Sequence, residues 1–551
     1  MDILFAENSK RNVIELKPET VKDMALQEII DNIATKEDNM IIIRDILTKL
    51  PTDLRDIHFR QEIMKDFMAS EKFTEEMSEA LDMIRSLKDF SGMKTMTYEG
   101  GSTLYSLLDN LRELAVYVNV TENILDCLKN NDIKSPGLKM LREHLNQIVS
   151  ADEFEKAKAD INKMLEDISC VRGAIVGVNF TPDLNVNEVA VVEFVPYKIK
   201  SKYLFAEFAA FIHNVMASAQ STNSIGSPPI NTSNIKDPLL VAMAPVMERH
   251  LKKHFVRIKS VLKKYVQFNN TSITEMYEGF LFYIFMARFA RRLDSMGCTI
   301  CMPQLPDVET DVNDKNNSDI SSRNVNSSEI NRTFILKDLY NVRLVFSGEK
   351  NIVKNDFSFT PKENLFILTG PNRGGKTIIE QAIGINSIMA SSGLFVTASE
   401  CKGRPFANIL THFPIDENLT INYGRLGEEA VRIKEIVKES DDRTLILFNE
   451  TYSTTSATDG LYLSKDLLRI LKEKGTAAIF NTHIHEVARS IDEMNEWDGE
   501  SDFVSLIMEI RDNVNTFHVK RSDPDSKSYA RNIAEKYGIT YEQMKADDTK
   551  K

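Results

Sequence analysis

Residues 366–377 read Phe-Ile-Leu-Thr-Gly-Pro-Asn-Arg-Gly-Gly-Lys-Thr, an apolar run that turns through GxxxxGK[ST] into the helical stretch Ile378 to about Met389. Strand, glycine-rich loop and helix in that order are what phosphate binding requires. Glycines let successive backbone N–H groups curl round phosphate oxygens, and the start of the helix adds its dipole. Gly370, Pro371, Asn372, Arg373, Gly374 and Gly375 would form the cradle, Lys376 would bridge the β- and γ-phosphates of a nucleotide, and Thr377 would hold Mg²⁺.

A phosphate loop needs an acidic partner at the end of a neighbouring strand. Leu445-Ile446-Leu447-Phe448-Asn449-Glu450 has that form, with Asn-Glu where Asp-Glu is usual. Glu450 would orient and deprotonate an attacking water. Asn449 can accept a hydrogen bond from a Mg²⁺-bound water, but it brings no negative charge, which predicts weaker Mg²⁺ affinity or slower hydrolysis. A third apolar run, Ala477 to Phe480, is followed by Asn481, Thr482 and His483, whose imidazole would sense the γ-phosphate.

These residues need a large scaffold. At 551 residues, with 42% hydrophobic and 27% charged side chains, the chain exceeds what one core organises, and about two to four domains are expected. The formal charge of −13 excludes a uniformly basic protein that coats nucleic acid, so any DNA contact must be local. Five cysteines form an odd, sparse set and no apolar leader opens the chain, which predicts a reducing, cytoplasmic setting without disulfides. Cys298 and Cys301, a CxxC without a second pair, read as two buried thiols. No stretch reaches the ~18 to 20 apolar residues of a membrane span.

Residues 15–165 carry helical periodicity, as in Leu107, Leu111, Leu114 and Val118. From Cys170 to Tyr197 the period shortens to that of a β-hairpin, and a helix is predicted over 203–217. The polar stretch 218–236 reads as a loop, and two helices are predicted over 238–268 and 273–296. The first carries Arg249, Lys252, Lys253, Arg257, Lys259, Lys263 and Lys264 round an apolar stripe of Leu251, Phe255, Ile258 and Leu262. That face is either the solvated side of a scaffold helix or a surface that tracks phosphates. Residues 307–328, rich in Asn, Ser and Asp, read as a flexible linker. Beyond it, short apolar strands alternate with helical segments, as in an α/β domain with strands covered on both faces.

The C-terminal part resembles the MutS DNA mismatch repair ATPases, a branch of the ABC-type ATPases. The likeness rests on Thr369 to Thr377, written TGPN-x-GGK-T, on Phe395-Val396-Thr397-Ala398, and on Glu450 to Gly460 with Thr455, Ser456, Asp459 and Gly460. Thr482-His483-Ile484-His485-Glu486 and the closing stretch Phe517-His518, Lys527 to Ala530 and Ile533-Ala534 extend it. The match runs over roughly 351–538 and is weaker upstream, where Arg60 to Ile63 and the two long helices are similar to the family's core and lever region. The resemblance implies that His518 contacts an adenine, that Ile352 lies against the base, and that the cofactors are ATP and Mg²⁺.

The expected architecture is multidomain: a mostly α-helical core and lever region with a small β-hairpin element, then an α/β P-loop ATPase domain of ABC type. Its expected parts are a helical core at 1–165, the β element at 166–205, core and lever helices at 206–306, the linker at 307–328, and the ATPase domain with a C-terminal helical dimerisation segment at 329–551. The family's signature serine, due before Glu429, is replaced by Gly424, and the mismatch-reading domain with its Phe-x-Glu wedge is expected to be absent. The resemblance implies a homodimer that clamps double-stranded or branched DNA in mismatch repair or recombination, with no membrane partner. Two alternatives stay open: a nucleotide-dependent switch or scaffold with weak hydrolysis, and another ABC-type ATPase.

Overall fold

The computed structural model describes residues 2–94, 103–169, 172–183, 186–198, 252–265, 271–307, 332–371, 373–414, 425–453, 455–511, 514–522 and 538–548. The helix expected at 203–217, the loop at 218–236 and all but the first residue of the linker at 307–328 lie outside them. The chain opens with β1 (Val13–Glu15), α1 (Pro18–Asp23), α2 (Leu26–Ile33), α3 (Glu37–Thr48), β2 (Lys49–Pro51), α4 (Leu54–Ala69) and α5 (Glu71–Lys94). There follow α6 (Thr103–Asn130), α7 (Pro136–Val149), α8 (Asp152–Ser169), β3 (Gly173–Phe180), β4 (Val186–Val195), α9 (Lys252–Lys264), α10 (Thr271–Thr274) and α11 (Met276–Ser295). The remainder alternates: β5 (Phe334–Leu339), α12 (Val342–Phe346), β6 (Asn355–Phe359), β7 (Glu363–Thr369), α13 (Lys376–Ser391), β8 (Glu400–Gly403), β9 (Asn408–His412) and α14 (Arg425–Glu439). It closes with β10 (Thr444–Asn449), α15 (Ala457–Lys474), β11 (Ala477–Asn481), α16 (His485–Arg489), α17 (Ile491–Asn495), β12 (Asp502–Arg511), β13 (Val514–Arg521) and α18 (Tyr541–Asp548).

The chain divides into two compact units. The first holds Met1–Asp2, Glu75–Ile133 and Leu138–Phe280. In it α6, α8 and α9 pack on one another. The stripe read from the sequence is buried on α6 at Leu111, Leu114 and Val118, and α9 buries Ile258 and Val261, with Tyr265 buried just after it. The antiparallel hairpin of β3 and β4 pairs Gly173 with Val195 at its open end.

The second unit holds Ile3–Thr74, Lys134–Gly137 and Leu281–Lys551. Its main sheet has the order β13-β12-β7-β11-β10-β9, with β12, β7, β11, β10 and β9 parallel and β13 antiparallel at one edge. Strands β9, β10 and β11 are buried at every position, which is why β10 and β11 read as nearly unbroken apolar runs rather than alternating ones. Leu365, Ile367, Ile446, Phe448 and Phe480 meet Leu467, Leu468 and Leu471 of α15 in one core. Each such side chain contributes roughly 1.5 to 3 kcal/mol on burial. The result is a mixed α/β unit with a largely parallel sheet.

Residues 3–74 group with this sheet rather than with the helices that follow them, unlike the 1–165 segment expected from periodicity. Helix α1 packs on β9, the edge strand: Thr20 Oγ1 donates to the Ile409 carbonyl at 3.3 Å, and Thr411 Oγ1 donates to Asp23 Oδ2 at 2.6 Å. Gln381 Nε2 of α13 donates to the Asp23 carbonyl at 2.8 Å. A helical period announces a buried face but not what buries it. Cys298 and Cys301 are half-buried rather than buried, and Cys301 sits in a backbone bridge to Val396. Partial burial still pushes the Cys301 thiol up to about 11.

Gly393, which closes α13, has φ +76°, and a Cβ there would lie 2.6 Å from Arg60 Cβ and 2.9 Å from the Ile57 carbonyl on α4. Left-handed strain and overpacking then act together, so Gly393→Ala is expected to cost about 2 to 4 kcal/mol in urea unfolding. A loss under 1 kcal/mol on that scale would mean that the α4 packing yields.

Candidate functional site

Strand β7 delivers the phosphate loop to the C-terminal edge of the sheet. Gly370 has φ +147° and passes against β12, where a Cβ would stand 2.9 Å from Met508 Cβ. Gly375, at φ +95°, is the N-cap of α13 and leaves the first-turn N–H groups without a side-chain cap. Between them, the Gly374 N–H donates to the Pro371 carbonyl at 3.1 Å, and Arg373 takes a left-handed φ of 63°. Asn372 lies outside the described residues. Lys376 Nζ is buried and donates to the Gly370 and Pro371 carbonyls at 3.0 and 3.2 Å. Desolvation lowers its pKa, opposed chiefly by the charge of Glu450.

Strands β10 and β11 bring the remaining groups alongside. Asn449 Nδ2 donates to Thr377 Oγ1 at 3.2 Å, joining the two expected metal-side residues directly. Asn481 Nδ2 donates to Asn449 Oδ1 at 2.7 Å and to Glu380 Oε2 at 3.1 Å. Glu450 follows at a left-handed φ of 54°, held by its N–H to the Asn481 carbonyl at 2.9 Å. A non-glycine residue in that region stores strain of order 1 to 3 kcal/mol, a common mark of functional positions. The strain aims Glu450 Oε1 at His483 Nε2, 2.8 Å away, with both side chains about a third exposed. The residue expected to act on water and the one expected to sense the γ-phosphate are thus in contact.

Among the described residues no cluster of three His, Cys, Asp or Glu side chains is placed to hold a metal ion. A cation here would rely on the Thr377 hydroxyl, Asn449 and the nucleotide's own phosphates. The glycine cradle, the buried Lys376 and the strand-end Glu450 fit a nucleoside triphosphate. The neutral Thr377 hydroxyl fits a hard cation that keeps several waters, while Asn449 turns its N–H toward that hydroxyl and its oxygen toward Asn481.

Of the two residues that the resemblance would set against a base, His518 lies on β13 and Ile352 does not. Ile352 is half-buried just before β6. Asn355 of β6 donates to the Phe517 carbonyl at 3.2 Å and accepts from the Val519 N–H at 2.8 Å, so β6 and β13 are tied on either side of the exposed His518. Phe517, at φ 61°, comes nearest the cradle, its ring 3.1 Å from where a Gly375 Cβ would be. Asn515 Nδ2 donates to the Arg373 carbonyl at 3.2 Å.

Phe517, Asn481 and Glu380 were not singled out from the sequence. Glu380 left a legible signal, since it is the sole acid in the otherwise apolar run after Lys376. Asn481 left none. Gly424 lies outside the described residues, while Glu429 on α14 accepts the Tyr452 N–H at 2.8 Å, tying α14 to the turn that carries Glu450.

Of the basic set, Arg249 is outside the described residues, and Lys252 and Lys253 open α9. Arg257, Lys259 and Lys263 are exposed. Lys264 is engaged within the first unit, with Nζ 3.0 Å from Asp160 Oδ2 and 4.8 Å above the Tyr265 ring. Tyr265 OH also donates to that carboxylate at 2.8 Å, and the two donors, the tyrosine first, lower its pKa. No helix among the described residues is long and apolar enough to cross a membrane.

Comparison with known proteins agrees with this geometry. The family profile for MutS domain V matches residues 366–549, from the strand before the phosphate loop to the last helix. Endonuclease MutS2 of Thermus thermophilus is 33% identical over 136 residues, covering 24% of this chain and 18% of that protein. Endonuclease MutS2 of Caldicellulosiruptor saccharolyticus is 30% identical over 171 residues, 30% of this chain and 22% of its own length. DNA mismatch repair protein MutS of Macrococcus caseolyticus is 29% identical over 167 residues, 28% and 20% respectively. The matches span about a fifth of the length of these relatives, so they speak for the ATPase-like part alone. Over residues 366–549, which hold the phosphate loop, the strand-end Glu450 and the facing His483, the chain is similar to domain V of the MutS proteins.

Proposed function

We propose that the chain is an ATP-hydrolysing, DNA-binding protein that works as a homodimer and couples the state of its nucleotide to the geometry of its helical part. The observation that carries the reading is the contact of Glu450 with His483 at 2.8 Å, beside the hydrogen-bonded Thr377 and Asn449. In this reading Glu450 takes the proton of the attacking water, His483 steadies Glu450 and faces the γ-phosphate, and Lys376 neutralises the β- and γ-oxygens. Bound Mg²⁺ supplies further charge neutralisation. ATP held between two subunits would close the dimer and hydrolysis would open it.

The DNA reading rests on the names of the relatives and on the basic face of α9. Such binding is driven by phosphate contacts and falls steeply with salt. The test is binding of the full chain to homoduplex, mismatched and four-way DNA, with and without ATP, at two salt concentrations. Binding to none of them at low salt would leave the second reading, a nucleotide-dependent dimeric switch with weak hydrolysis. One observation favours that second reading: the Asn449 amide presents N–H, not oxygen, to Thr377.

The contribution of α9 is separable. Replacing Lys252, Lys253, Lys259 and Lys263 by Gln, and sparing Lys264 because Asp160 uses it, is expected to weaken DNA binding about 10- to 100-fold. The slope of log affinity against log salt should flatten by about 0.9 for each phosphate that is no longer neutralised. DNA-free ATPase should be unchanged. Unaltered anisotropy titrations would return α9 to a purely structural role.

A further inference from the structure

Behind the phosphate loop runs a short buried hydrogen-bond chain that the reading above does not use. Asn449 gives its N–H to Thr377 Oγ1, so its oxygen is turned away from the cation position and taken by Asn481 Nδ2. The other N–H of Asn481 goes to Glu380 Oε2 on α13. Glu380 is fully buried, and its Oε1 and the Asn481 Oδ1 are buried atoms without a hydrogen-bond partner. Burial drives the carboxyl well above its ordinary range, against the opposing pull of Asn481 and Lys376, while nearby Glu450 adds to the rise. A carboxyl that keeps its proton can donate as well as accept.

We propose that Glu380 is a positioning residue for the divalent cation that accompanies the nucleotide: it sets the direction of the Asn481 and Asn449 amides, and so whether Asn449 offers that cation its oxygen or its N–H. The inference rests on the nucleotide reading above. Amides in series point one way at a time. While Asn481 donates to Asn449, the Asn449 oxygen is consumed there. When both amides turn end for end, Asn449 donates to Asn481 and its oxygen faces Thr377, where a hard cation takes oxygen ligands. The turned Asn481 then presents oxygen to Glu380, an arrangement that a carboxylic acid supports by donating and a carboxylate opposes. A buried acid on the helix thus makes a neutral strand-end residue serviceable where a charged one is usual.

The test is equilibrium binding of a fluorescent ATP analogue to the full chain, in EDTA and across a Mg²⁺ titration. The proteins are wild type, Glu380→Gln, Glu380→Leu, Asn449→Asp and Asn449→Asp/Glu380→Leu. In EDTA the two Glu380 single variants are expected to bind the analogue as the wild type does, and the two Asn449→Asp proteins to match each other. The Mg²⁺ concentration for half-maximal effect should rise about tenfold in Glu380→Leu, the usual scale for groups that orient ligands. It should change little in Glu380→Gln, which can still donate. On the Asn449→Asp background Glu380→Leu should have no such effect, because a carboxylate needs no turning. A Glu380→Leu protein that melts like the wild type and keeps its Mg²⁺ requirement overturns the proposal, as does equal weakening in EDTA and in Mg²⁺. If the leucine variant does not fold, Glu380→Met replaces it under the same criteria. A wild-type chain that binds no analogue in either condition overturns the nucleotide reading itself.

Discussion

Lys376→Ala is expected to weaken nucleotide binding by about 10²- to 10³-fold, that is about 3 to 4 kcal/mol, the scale for removing one partner of a desolvated charge pair. Lys376 is 5% exposed, so its ammonium meets phosphate oxygens with little competing water. The same side chain spans the Gly370 and Pro371 carbonyls, and the alanine variant also loosens the loop. Lys376→Met separates the two effects, since it keeps the stem and loses the charge. Calorimetric titration should find both variants deficient while thermal melting stays within a few degrees of the wild type. Binding within threefold of wild type in the methionine variant would show that the charge is not on the phosphates.

Glu450→Gln is expected to leave nucleotide binding intact and to lower steady-state hydrolysis by about 10²- to 10⁴-fold, the range for loss of a general base. Glutamine matches the shape of glutamate, and the φ of 54° is fixed by the backbone bond to Asn481, so the turn should survive. The His483 contact should also survive, because an amide oxygen still accepts from Nε2. What disappears is the capacity to take a proton. ATP should then persist on the protein, and the dimer should be enriched in sedimentation when ATP is present. Turnover equal to wild type would remove Glu450 from the chemistry and leave it as a partner of His483.

Much of this site was legible because its parts are local in sequence. Gly370 to Thr377 is one turn between a strand and a helix, and Asn449, Glu450 and His483 each stand at the end of an apolar run whose length marks it as a buried strand. Which strand ends meet is not local. The order β7-β11-β10 sets Asn481 between Lys376's helix and Asn449, and no pattern along the chain states that order. Glu380 was visible as an oddity in an apolar helix, yet its role needed the pairing across to β11. Residues 3–74 illustrate the same limit at the level of the fold. Their period predicted helices, and helices they are, but the surface they cover belongs to a strand nearly four hundred positions later.

Thr20 and Ile409, joined by a hydrogen bond, are 389 positions apart, and that separation bears on how the chain is made. At ribosomal rates of about 5 to 20 residues per second, α1 leaves the ribosome roughly 20 to 80 s before β9 exists. Until then Thr20 and Asp23 lack their β9 partners, and the sheet edge that α1 covers closes only as a late, long-range step. Chaperone depletion should therefore lower the yield of this protein by acting on residues 3–74, not on the phosphate-binding strands, whose partners emerge within about 140 residues of one another.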